Sequence, residues 1–104
     1  MSASPPMATR GRRVAITGYG VVAPCGLGKQ AFWNGLNGPS LTGGRTVEIA
    51  DWDPLPYFAN PKEARRADRF EQFALAAADE CFIQSGRPTA EPGRFGVILG
   101  TGVG

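Results

Sequence analysis

Few residues in this chain have the types and spacing for chemistry. Two cysteines, Cys25 and Cys81, are its only thiols, and histidine is absent from all 104 residues. A cysteine nucleophile needs a neighbouring cation, base or helix N-terminus to hold it as thiolate. Cys25 falls in a Pro/Gly turn with no basic partner. Cys81 falls on the apolar spacing of a helix, where a small buried hydrophobe is the default. Neither is read as a nucleophile. No Cys-x-x-Cys occurs, so zinc lacks the soft ligands it needs. One possible pair is no disulfide framework, and both cysteines read as free cytosolic thiols. Arg66 and Asp68 read as a surface or packing pair in the early turns of a helix, where the dipole favours Asp68.

Glycine supplies the remaining candidates. Gly18-Tyr19-Gly20-Val21-Val22-Ala23 matches the G-x-G-x-x-A pattern of dinucleotide sites. That mechanism requires a helix starting near the second glycine, its N-terminus aimed at the pyrophosphate. Pro24, Gly26 and Gly28 occupy the first turns of any such helix. The nearest acidic residues, Glu48 and Asp51, come late for a ribose contact. The pattern therefore reads as a bend that packs closely against a neighbour, with a nicotinamide-binding oxidoreductase as the weaker alternative. A second loop, Gly100-x-Gly102-x-Gly104, lacks the Lys-Ser/Thr of a phosphate-binding loop. It reads as a tight turn or the lining of a substrate pocket.

These motifs need elements to hold them. Residues 1–11 combine small residues, two adjacent prolines and no periodicity, which predicts a disordered tail. Val14-Ala15-Ile16-Thr17 predicts a short buried strand that Val21-Val22 extends. Phe32 and Leu36 share a face at i and i+4 and predict a helix over 29–36, stopped by Gly38-Pro39. Residues 40–44 read as loop, 46–49 as a weak strand, and 51–58 as an irregular aromatic stretch packed over a surface. Asn60, Pro61 and Glu63 form a capping box that starts a long helix. Its apolar positions, Ala64, Ala67, Phe70, Ala74, Ala77, Ala78, Cys81 and Phe82, are mostly small, so a sheet or another backbone can approach closely. Ser85-Gly86 and Pro88 end it. Phe95-Gly96-Val97-Ile98-Leu99 then predicts a second buried strand.

Both strong strands are apolar on nearly every residue, as in a parallel sheet covered on two faces. Two strands cannot complete such a sheet. The chain reads as the first part of a larger α/β protein.

Composition narrows the function classes. Eleven Lys and Arg against nine Asp and Glu leave a formal charge of +2. That is too weak and scattered for a nucleic-acid surface. No apolar run reaches the ~18 to 20 residues of a membrane span. The apolar stretch after Arg12-Arg13 is broken by Thr17, Gly18, Tyr19 and Gly20, which speaks against a signal peptide. Fifteen glycines are about twice the usual share of roughly 7%, and they sit where apolar runs stop.

Four segments in order resemble the thiolase-like condensing enzymes, and within them the β-ketoacyl synthase family. They are Arg13 through Pro24 as an opening strand and glycine turn, and Phe32-Trp33 through Gly38 as a helix with its glycine stop. Arg65-Arg66-Ala67-Asp68-Arg69-Phe70 follows as the start of an alanine-rich helix, and Gly96 through Gly104 as a strand and glycine loop. Between Tyr57 and Arg65 the chain is shorter than many members, which leaves the subfamily open.

The resemblance implies a fold of α/β/α/β/α layers, with residues 12–104 forming an incomplete part of its N-terminal domain. It implies decarboxylative Claisen condensation of an acyl chain with a malonyl thioester on an acyl carrier protein, in fatty-acid or polyketide synthesis. The cysteine nucleophile, two histidines and oxyanion hole of that chemistry lie, in the family, beyond the matching stretch. No catalytic, cofactor-binding or metal-ligating residue is therefore expected here, nor any cofactor. The complete protein is expected to be cytoplasmic, and a homodimer or a heterodimer with a ketosynthase-like partner. It is expected to bind neither nucleic acid nor membrane. The alternative within the family is a non-catalytic chain-length partner subunit.

Overall fold

A computed structural model of the chain describes residues 11–39 and 47–102. Strands β1 (Val22–Ala23) and β2 (Gly26–Leu27) form an antiparallel hairpin in which Val22 faces Leu27 and Ala23 faces Gly26. Pro24 and Cys25 make its turn, and the Gly28 N–H donates to the Val21 carbonyl at 2.9 Å, closing its base. Among the described residues three α-helices follow: α1 (Lys29–Leu36), α2 (Pro61–Arg66) and α3 (Arg69–Ser85). Single 3-10 turns lie at Leu55–Tyr57 and Pro92–Arg94.

Helix α1 has the predicted bounds. At its end the Asn37 backbone N–H donates to the Trp33 carbonyl at 3.2 Å, and the Asn37 side-chain amide donates to the same oxygen at 2.8 Å. This satisfies a carbonyl that the last turn would otherwise leave open. Helix α2 starts as the capping pattern predicts: the Glu63 N–H donates to Asn60 Oδ1 at 2.9 Å and Pro61 takes the first helical position.

The long helix predicted from Pro61 onward is two helices. Ala67 (φ −82°, ψ 137°) and Asp68 (φ −69°, ψ 158°) are extended, and Asp68 becomes the N-cap residue of α3. Its carbonyl accepts the Gln72 N–H at 3.0 Å. Gln72 stabilises the break. Its side-chain amide donates to the carbonyls of Ala64 (3.0 Å) and Ala67 (3.1 Å), while its Oε1 accepts the Trp52 indole N–H at 2.8 Å. A buried glutamine with donors and acceptor all matched avoids the desolvation penalty of a lone polar group.

The aromatic stretch packs against α3, as expected. Trp52 stacks on Tyr57 with centroids 5.8 Å apart and meets the edge of Phe73 at 4.9 Å. Such pairs add about 0.5–1.5 kcal/mol beyond their burial. With the buried Ala64, Ala76 and Gln72 they form the centre of the described fold.

The two strong strands are where the expectation fails. Residues 14–17 and 95–99 run without regular pairing, and among the described residues the only sheet is the two-stranded hairpin. Val14 is 90%, Ile16 89%, Val97 83% and Ile98 100% exposed rather than buried. A strand is completed by hydrogen-bonding neighbours and covered faces, and the described residues offer these segments neither. The layered α/β/α/β/α arrangement is accordingly absent from the described residues; they hold helices and one small hairpin. Residues 1–10, most of the predicted tail, lie outside the description, as do 40–46, with the loop at 40–44 and the start of the weak strand. Gly11 is exposed, and 47–49 form no strand.

Candidate functional site

The polar chemistry of the fold gathers on one ridge of α3. Gln72, Ala76, Glu80 and Gln84 recur at intervals of four and so share a helix face. Glu80, half-buried, accepts two main-chain donors from either side of the hairpin. Its Oε1 takes the Val21 N–H at 2.9 Å and its Oε2 the Lys29 N–H at 2.7 Å. One turn further on, Gln84 Oε1 accepts the Tyr19 N–H at 3.2 Å and the Lys29 ammonium at 2.7 Å. The Lys29 Nζ also lies 5.0 Å from the Tyr19 ring centroid, within reach of its π-face.

The first donor of α1 is thus satisfied by a carboxylate from another helix. Gly28, the residue before α1, has φ 90° and no side chain to offer as a cap. That left-handed backbone favours glycine and orients the Lys29 N–H toward Glu80. A helix N-terminus also favours a negative charge. Glu80 is therefore an anchor for the main chain, since each of its oxygens holds a backbone N–H.

Beside this anchor lies a cavity of about 210 Å³, lined by Val21, Leu27, Trp52, Tyr57, Ala76 and Ile83 among others. Asp79 and Glu80 stand in its otherwise apolar wall.

The first glycine motif packs on α3. A Cβ on Gly20 would run into the Ala77 carbonyl group, and one on Gly18 would come within 2.6 Å of the Cys81 carbonyl oxygen. The space that a pyrophosphate would need against these glycines is filled by helix backbone. The chain after Gly20 enters β1 instead of a helix, so the anion-binding helix end of a dinucleotide site does not follow the motif. The close-packing reading of the glycines holds, and the nicotinamide alternative loses its geometry.

The other residues singled out in the sequence are dispersed. Cys25 in the hairpin turn and Cys81 on α3 are both half-buried free thiols. Arg66 ends α2 beside the break, and Asp68 occupies the N-cap position of α3 without a side-chain cap hydrogen bond. Arg69 donates to the Ile49 carbonyl at 3.0 Å and lies 5.2 Å over the Phe73 ring. Gly100 and Gly102 have open space around them, and Gly104 lies outside the described residues. No group of three or more His, Cys, Asp or Glu side chains able to hold a metal gathers among the described residues. None of their helices is long and apolar enough to cross a membrane.

Glu80, Gln84 and Gln72 are the residues that sequence patterning misses. Their i+4 recurrence is visible, but polar residues on one helix face ordinarily signal solvent.

Comparison with known proteins places the chain more sharply. The pattern of the β-ketoacyl synthase N-terminal domain matches residues 37–104. A Streptomyces cyaneus protein named "Putative polyketide beta-ketoacyl synthase 1" is 47% identical, over 89% of this chain and 25% of the relative. The tetracenomycin polyketide synthase ketoacyl synthase alpha subunit of Streptomyces glaucescens is 37% identical over the same shares, 89% and 25%. The 3-oxoacyl-[acyl-carrier-protein] synthase 2 of Rhizobium meliloti is 32% identical, over 89% of this chain and 27% of the relative. The chain spans about a quarter of the length of these curated relatives. No solved structure matches it.

Proposed function

The chain belongs to the β-ketoacyl synthase family, and from that premise we propose that it is the N-terminal part of a condensing enzyme acting in polyketide or fatty-acid synthesis. The complete enzyme extends an acyl chain by decarboxylative Claisen condensation. A cysteine thiolate attacks an acyl thioester and takes the acyl group, releasing the donor thiol; a malonyl thioester on an acyl carrier protein loses carbon dioxide, and the resulting carbanion attacks the acyl-cysteine carbonyl and expels the cysteine thiolate. The nucleophile and the histidines that stabilise the developing charge belong to sequence outside these residues. The 104 residues alone are inactive, and their part is to form one portion of the N-terminal domain. The complete protein works as a homodimer or as a heterodimer with a ketosynthase-like partner.

The observation that carries this reading is the family match through 37–104, joined to relatives four times the chain's length that bear ketoacyl synthase names. The absence of histidine accords with a catalytic centre located elsewhere.

Release of labelled carbon dioxide from a malonyl-carrier thioester, in the presence of an acyl-carrier thioester, is the test. A longer protein containing this stretch is expected to release it and form the β-ketoacyl product, and the 104 residues alone are not. Release by the 104 residues would overturn the claim that the nucleophile lies elsewhere. A folded longer protein that neither releases carbon dioxide nor condenses would reject the catalytic assignment and favour the chain-length partner.

A further inference from the structure

We draw no further inference here: the strongest candidate, the apolar face that the exposed Tyr19, Trp33 and Leu36 and the half-buried Phe32 form beside Lys29 and Gln84, is an unpartnered surface, and nothing in the structure shows what covers it.

Discussion

Replacing Glu80 by alanine removes both acceptors that hold the main chain on either side of the hairpin. The Val21 N–H at 2.9 Å and the Lys29 N–H at 2.7 Å each lose a carboxylate partner. Hydrogen bonds to charged groups contribute about 1.5–3 kcal/mol each. Glu80 is only half-buried, so water recovers part of that, and the two bonds together are worth about 2–4 kcal/mol. The loss is local, because the hairpin and the start of α1 can lift from α3 without unfolding α3 itself. Hydrogen exchange measured residue by residue in a longer protein that contains this stretch reads the effect. The Val21 and Lys29 amides of the Glu80→Ala variant should exchange roughly 30- to 700-fold faster, at tenfold per 1.4 kcal/mol. The Leu75 amide, in the middle of α3, should change far less. Glu80→Gln keeps one carbonyl acceptor but turns an NH₂ donor toward the other N–H, so it should fall between alanine and wild type. If Glu80→Ala leaves both amides within about threefold of wild type, the anchor contributes no more than about 0.7 kcal/mol and the reasoning fails.

Three further outcomes follow from the same geometry. Gly20→Ala forces a methyl group into the Ala77 carbonyl and should lower the stability of the longer protein by about 1–3 kcal/mol, whereas Gly93→Ala, with open space around it, should stay within about 0.5 kcal/mol; equal denaturation midpoints for the two would refute the close contact. Gln72→Glu keeps an acceptor for Trp52 but points a carboxylate at the carbonyls of Ala64 and Ala67, so thermal unfolding should show it to be more destabilised than Gln72→Met, and the reverse order would contradict the assigned bonds. The isolated 104 residues, with Val14, Ile16, Val97 and Ile98 exposed, should bind an apolar-surface dye strongly and lose structure gradually on heating; a single sharp calorimetric transition without dye binding would oppose this.

What was legible in the sequence is what neighbouring residues decide. Helix α1 follows from the i, i+4 pair Phe32 and Leu36 and from Gly38-Pro39 beyond it. The start of α2 follows from Asn60, Pro61 and Glu63, whose bond forms as the pattern requires. The end of α2 is not legible in the sequence, because Ala67 and Asp68 also suit a continuing helix. Its cause is Gln72, whose side chain reaches back to Ala64 and Ala67, and Trp52, which completes the glutamine from twenty residues away. Asp68 and Glu71 repeat the Asn60 and Glu63 spacing and so mark a second helix start, although Asp68 makes no side-chain cap hydrogen bond. The hairpin at 22–27 was hidden for a similar reason: Val21-Val22 reads as the extension of a strand, while its pairing turns on Pro24 and Cys25.

The candidate site was less legible still. Glu80 and Gln84 meet main-chain N–H groups of Val21, Lys29 and Tyr19, and a main-chain donor has no signature in residue type. The glycine pattern was more informative, because Pro24 and Gly26 after it exclude a helix. The structure adds what fills the space, which is the backbone of α3. Residues 14–17 and 95–99 show the converse. Their apolar runs state a demand for burial, and the described residues do not meet it.

The capping of α1 by Glu80 also sets an order in time. Lys29 and Glu80 are 51 positions apart, so a ribosome that adds 5–20 residues per second delivers the carboxylate roughly 3–10 s after the N–H that needs it. An eight-residue helix is too short to persist alone in water over that interval. Helix α1 therefore gains its fixed start only once α3 has been made, and the earlier segment of the chain takes its final shape from the later one.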